Sequence, residues 1–382
     1  MILIKNVEVY SPKYKGKKDV FVSGGKISLI EENINFDNEK IKVIDGSGKK
    51  LTPGFIDQHV HITGGGGEGS FKTKAPEITL SKLTTAGITT VVGLLGTDGT
   101  TRSVENLVSK AKALKEEGIT AFAYTGSYEY PTVTITDSIK KDICFIDEII
   151  GVKLALSDHR APNVSNLELQ RVASDARVAG MLSGKPGIVV LHMGDGKKRL
   201  QPVREILEET EIPMKTIRPT HVNRREELLE EAFDYARAGG KIDLTCGIKE
   251  HLTPGQCIKR ALDEDVPSEN ITISSDGYGS WSKYDEAGNL VKMGVSSVSS
   301  LHKEFKYMVK ELDFKLEDSL IYLTSNVAKG LEIYPRKGCI EEGSDADLLL
   351  LDENLDIDTV IANGKVMIEN KEIVVYGSYE LM

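Results

Sequence analysis

The hydrophobic positions of this chain follow two rhythms. Over the first fifty residues, short apolar stretches at 1–9, 19–22 and 25–30, and Val43-Ile44 before the Gly46 to Gly48 turn, alternate or cluster without a helical period. The last fifty residues repeat that texture. Stretches 347–351, 359–362, 366–368 and 373–376 read as strands, and Asn363-Gly364 is a two-residue hairpin signal. Two all-β pieces at opposite ends predict one small β-sandwich domain assembled from 1–50 and 335–382.

The middle, 51–334, behaves differently. Eight apolar, β-branched runs recur at 54–57, 89–95, 119–125, 151–156, 188–191, 217–220, 242–245 and 271–274. Helical patterns lie between them, as at 103–117, 166–183 and 225–238. Eight strand–helix units predict an α/β fold with a (β/α)8 TIM-like barrel. An open doubly wound sheet would produce the same alternation.

Composition narrows the picture. Of 382 residues, 40% are hydrophobic and 28% charged, which excludes a disordered chain. A net charge of −10 argues against nucleic acid and against an anionic membrane surface, since both are met by lysine and arginine. Cys144, Cys246, Cys257 and Cys339 show no CxxC spacing, and scattered thiols fit a reducing compartment. The N-terminal residues lack a signal-peptide pattern, and no apolar run reaches the roughly 18 residues of a membrane span. A cytoplasmic protein is expected.

A barrel carries its chemistry at the C-terminal ends of its strands. The polar residues of this chain fall there. The first run leads into His59-Val60-His61, whose alternate side chains share one face. The fourth contains Lys153, the fifth leads to His192, the sixth to His221 and the eighth to Asp276. Imidazoles and carboxylates are ligands for zinc and similar divalent ions. Singly, each has a plainer reading: a rim histidine, a salt-bridged lysine, a turn aspartate. Jointly, all at one mouth, they point to a metal centre. His159, His251 and His302 stand outside the pattern and are read as non-ligands.

The segments from Pro53 to His61, His192, His221, Asp276 and Gly343 to Leu348 resemble the amidohydrolase superfamily of metal-dependent hydrolases over essentially the whole chain. The resemblance implies two divalent ions, zinc by default, with His59, His61 and Asp276 on one and His192 and His221 on the other. It also implies that Lys153 is carboxylated by CO2 and bridges them. An ammonium has no lone pair to offer a metal, whereas a carbamate has two anionic oxygens.

Further segments are similar to the β-aspartyl (isoaspartyl) dipeptidases of that superfamily. They are His61 to Glu68, Gly93 to Asp98, Thr125 to Tyr128, Ser157 to Arg160, Pro219 to Arg224 and Ser274 to Ser280. Charge reaches the same substrate class. Glu68 follows a four-glycine loop and suits a substrate ammonium, while Arg160 and Arg224 suit two carboxylates. A solvated loop charge and rim salt bridges are the plainer readings of these three. The reaction so implied is hydrolysis of a β-aspartyl dipeptide by a metal-bridging hydroxide. Asp276 would be the proton shuttle, Tyr128 the oxyanion donor and Glu68 the ammonium holder. Thr97 and Ser280 would be further substrate contacts. A homo-oligomer, in the form of an octamer, is also implied. The competing readings are a cyclic-amide hydrolase of the dihydroorotase or hydantoinase kind, an N-acyl amino-acid deacylase, and a non-enzymatic assembly protein. The first needs no ammonium site, so Glu68 separates it.

Overall fold

A computed structural model describes residues 1–36, 38–248 and 251–381. Five strands open the chain: β1 (Ile2–Ser11), β2 (Lys13–Ser23), β3 (Lys26–Glu31), β4 (Lys42–Asp45) and β5 (Lys50–Pro53). Eight more follow: β6 (Phe55–Val60), β7 (Ile88–Gly93), β8 (Thr120–Gly126), β9 (Ile149–Leu156), β10 (Ile188–Met193), β11 (Ile217–Thr220), β12 (Ile242–Thr245) and β13 (Ile271–Ser274). A hairpin, β14 (Ser280–Tyr284) and β15 (Leu290–Val295), precedes the closing strands β16 (Leu348–Leu351), β17 (Ile357–Ala362), β18 (Lys365–Glu369) and β19 (Glu372–Ile373).

Strands β6 to β13 form one parallel sheet in sequential order, each neighbour hydrogen-bonded to the next. An α-helix follows each of them. The ends meet: His61 N donates to Gly277 O at 2.9 Å, and Gln58 Nε2 donates to Thr272 Oγ1 at 2.7 Å. Sequential order with contact between first and last strand is a nearly closed barrel, not a doubly wound sheet. Nearly every residue of these strands is buried, because the barrel interior covers one face and the helices the other. That is why they read as continuous apolar runs.

The terminal strands form a nine-stranded sheet in which β5 lies between β1, parallel, and β16, antiparallel. Chain ends more than three hundred residues apart therefore share one seam. The sheet curls on itself, since Ile27 N donates to Ser344 O at 2.9 Å and Gly343 N to Ile27 O at 2.8 Å. Strand periodicity divides the four leucines of β16 between two cores. Leu348 and Leu350 pack with Ile2, Ile4 and Val20, whereas Leu349 and Leu351 join the barrel's core. Asn363 and Gly364 (φ 48° and 76°) make the expected hairpin between β17 and β18. The strand expected at 373–376 is shorter: only Glu372 and Ile373 pair. No helix among the described residues is long and apolar enough to cross a membrane.

Candidate metal centre and active site

The barrel's C-terminal mouth gathers the histidines. His59 is the penultimate residue of β6, and His61 follows that strand by one residue. Both Nε2 atoms converge on Asp276 Oδ1, at 3.5 and 3.3 Å. His59, His221 and Asp276 bring ligand atoms within 4.8 Å of one another. The His221 ring lies 4.8 Å from that of His59 and 4.7 Å from that of His192. Lys153, wholly buried on β9, places Nζ 3.3 Å from His59 Nε2. All six predicted ligands thus stand at one mouth.

Local backbone shape helps to aim them. His221 and Asp276 come just after β11 and β13 in the left-handed region, with φ of 62° and 51°. Such strain in non-glycine residues is characteristic of functional sites. Gly96 and Gly279 let backbone close around His61: a Cβ would sit 2.9 Å from its Cε1 or 2.8 Å from its Cδ2.

Burial dominates the electrostatics. It drives the imidazoles of His59, His192 and His221 well below the usual histidine range, so their rings are neutral and keep a lone pair. It also lowers the Lys153 ammonium to about 7, against the opposing pull of Asp276 and Asp243. Nδ1 of His59 and of His61 is buried without a hydrogen-bond partner. Neutral, convergent imidazoles beside a carboxylate fit a divalent metal better than a structural hydrogen-bond cluster.

Around this centre lies a polar shell. Tyr128 Oη is 2.6 Å from His192 Nδ1, and burial raises its phenol above the ordinary value. At the end of the glycine loop the side chain of Glu68 is buried. Its Oε1 meets Ser280 Oγ at 2.7 Å, Thr97 Oγ1 at 3.3 Å and Arg160 Nη1 at 3.3 Å, while its Oε2 is buried and unpartnered. Arg224 stands further out, a quarter exposed, with Nη1 3.8 Å from Asp195 and a buried, unpartnered Nε. His159 packs edge-on to Tyr284, His251 pairs with Glu226 and His302 with Leu355 O, all outside the cluster.

Three features escaped the sequence reading. Asp158 receives His192 Nε2 at 2.9 Å and the Arg160 fork. Thr245 Oγ1 lies 2.7 Å from His221 Nδ1. Beneath the histidine cluster, Asp243 accepts from Gln58, Thr220, Thr272 and Ser274, and Gln58 in turn takes Arg218 Nη1 at 2.9 Å. A carboxylate inside a β-branched run carries no spacing signal, although Asp243 is conspicuous as the sole charge in β12.

A (β/α)8 barrel with neutral histidines, an aspartate and a buried lysine at its mouth is an arrangement that could hold a divalent ion. A model of the amidohydrolase family matches residues 51–367, and the chain belongs to that family; it is a hydrolytic enzyme. It is 43% identical to the β-aspartyl dipeptidase of Fervidobacterium islandicum AW-1 solved in complex with β-Asp-Leu. That match covers 97% of this chain and 98% of the other, with a TM-score of 0.92. A second structure of the F. islandicum enzyme matches at 41% identity and a TM-score of 0.90, with the same coverage of each chain. The resemblance to isoaspartyl dipeptidases read from the sequence is borne out. The dihydroorotase of Listeria monocytogenes is 23% identical over 96% of this chain and 93% of its own length. A D-hydantoinase from a Thermus species shares the fold at 18% identity, over 99% of this chain and 98% of its own, with a TM-score of 0.71.

Proposed function

We propose that the protein hydrolyses the isopeptide bond of β-aspartyl dipeptides at a two-metal centre. The observation that carries this reading is Glu68. A buried carboxylate with one satisfied oxygen and one bare one, a short way from the metal cluster, is a socket for an ammonium. Arg160 and Arg224 supply two guanidinium groups for the substrate's two carboxylates. The F. islandicum structure, which holds β-Asp-Leu, supports the same substrate. Cyclic amides and N-acyl amino acids have no ammonium to fill the socket, which disfavours the dihydroorotase, hydantoinase and deacylase readings.

His59, His61 and Asp276 would hold one ion and His192 and His221 the other, with carboxylated Lys153 between them. Zinc is the default for this ligand set. When bound, the ions supply Lewis-acid polarisation of the scissile carbonyl and an acidified water. The chain's own groups do the rest. Glu68 holds the α-ammonium with Thr97 and Ser280 beside it, and Arg160 and Arg224 fix the carboxylates. Tyr128 donates its phenolic proton in a hydrogen bond to the carbonyl oxygen as charge develops there. Asp276 accepts the proton of the attacking water on a carboxylate oxygen and delivers it to the leaving amine.

The same reading assigns 51–334 to the catalytic barrel and 1–50 with 335–382 to the β-domain. It places the protein in the cytoplasm, where its four unpaired cysteines would stay reduced, as a homo-oligomer.

The deciding assay sets β-Asp-Leu against α-Asp-Leu, with and without added zinc. Cleavage of the β-linked peptide alone is expected. Hydrolysis of a cyclic amide or an N-acyl amino acid in its place would overturn the substrate. Tyr128→Phe should lower kcat by about 10²-fold with little change in KM, because its hydrogen bond strengthens only in the transition state. A rise in KM alone would remove Tyr128 from the oxyanion role.

A further inference from the structure

Asp158 lies in the loop after β9, on the wall between the metal cluster and the Glu68 socket. Its Oδ1 accepts from Arg160 N at 2.8 Å and Arg160 Nε at 2.9 Å. Its Oδ2 accepts from Arg160 Nη2 at 2.8 Å and faces His192 Nε2 at 2.9 Å. The side chain is buried, and the four contacts that hold it all come from nitrogens. Arg160 Nη2 also lies 3.4 Å from His192 Nε2, the other ring nitrogen meets Tyr128 Oη at 2.6 Å, and the ring lies 4.7 Å from that of His221. The far end of the Arg160 fork reaches Glu68.

The opposite loop is shaped around this carboxylate. At Gly194, after β10, a Cβ would come within 2.4 Å of Asp158 Cβ and 2.6 Å of its Oδ2. At Gly196 a Cβ would meet Ser157 O at 2.5 Å, and Gly196 N donates to that same oxygen. Ser157 itself is in the left-handed region, at φ 53°. A turn that only capped itself would need neither the second arginine nitrogen nor the histidine.

We propose that Asp158 is a positioning residue that fixes His192 toward the metal centre and Arg160 toward the substrate carboxylate at once. This rests on the dipeptidase reading for Arg160, but its bond to His192 does not depend on the substrate. Loss of a carboxylate orienting a ligating histidine commonly costs about 10–100-fold in metal affinity.

The test compares wild type, Asp158→Asn, Gly194→Ala and Arg160→Met, each loaded with zinc. Metal loss to excess EDTA is followed with time, alongside kcat and KM for β-Asp-Leu. Asp158→Asn is expected to lose metal about 10–100-fold faster and to raise KM about tenfold. Gly194→Ala presses on the same carboxylate without changing its charge and should also speed metal loss, which guards against a folding defect peculiar to Asp158→Asn. Arg160→Met should raise KM while its metal loss stays within about twofold of wild type. Wild-type metal retention in both Asp158→Asn and Gly194→Ala overturns the proposal. Faster metal loss with an unchanged KM overturns its Arg160 half. If wild type does not cleave β-Asp-Leu, the dipeptidase reading fails, and the metal-loss comparison still decides whether Asp158 positions His192.

Discussion

Asp276→Asn should abolish nearly all turnover, with a fall in kcat of about 10³-fold or more, while leaving the protein folded. General acid–base catalysis alone contributes about 10²–10⁴-fold. An amide can neither accept the proton of the attacking water nor return one to the leaving amine. The replacement also changes the carboxylate on which the Nε2 atoms of His59 and His61 converge. Structural damage should be small for a specific reason. Asp276 sits at φ 51°, and asparagine is among the few residues that tolerate the left-handed region. Asp276→Ala lacks that tolerance and would mix strain with chemistry. The check is kcat for β-Asp-Leu, with metal content and melting temperature measured on the same preparation. Retention of more than a tenth of wild-type kcat would remove Asp276 from the proton-transfer role.

The barrel was legible because physics wrote it plainly. Strands covered on both faces are largely apolar, so β9 and β10 stand out as apolar runs broken only by Lys153 and His192. The cluster at the mouth was legible for a related reason: polar residues in and at the ends of such strands have nowhere to point but the mouth. What stayed hidden has the opposite character. The hairpin β14–β15 is half-exposed along its length, and its mixture of tryptophan, lysine and serine offers no buried face to set a period. It matters nonetheless, since Ser280 at its start reaches Glu68. Asp243, and the contact of Asp158 with His192, stayed hidden because the partners lie on other strands. Asp243 meets Gln58, a hundred and eighty-five positions away in sequence. Nothing in local spacing announces a contact made only when the barrel closes.

The same closure explains how the site tolerates so much buried charge. Arg218 has 1% of its surface exposed, and its guanidinium reaches Asp243 only through Gln58. Asp57, fully buried, has its carboxyl pushed up to about 7 by desolvation, despite bonds from the backbone N–H groups of His59 and Ser275. Arg218 ties β6 to β11 through Gln58, and Asp57 ties β6 to the turn after β13 where the barrel closes. Polar bonding inside the barrel is therefore also what holds the HxH strand against the Asp276 turn.

Glu68→Gln should be the most discriminating change in substrate recognition. It keeps the shape of the side chain and one hydrogen-bonding oxygen for Ser280 and Thr97, but removes the charge that would meet the ammonium. Breaking a buried ion pair from one side costs about 3–5 kcal/mol, because the remaining charge is left uncompensated. That corresponds to a loss of about 10²–10³-fold or more in kcat/KM for β-Asp-Leu. Arg160 should stay in place, since two hydrogen bonds from its fork and one from its backbone N–H still anchor it on Asp158. The variant would therefore report on the ammonium and not on the carboxylate. The control substrate is N-acetyl-β-Asp-Leu, which has no ammonium. Wild type should strongly prefer the free amine, and Glu68→Gln should shrink that preference by about the same factor by which it loses β-Asp-Leu. Equal losses on the two substrates would mean that Glu68 shapes the loop without reading charge. The bare Oε2 would then be a feature of the glycine loop's packing, and the substrate assignment would rest on the arginines alone.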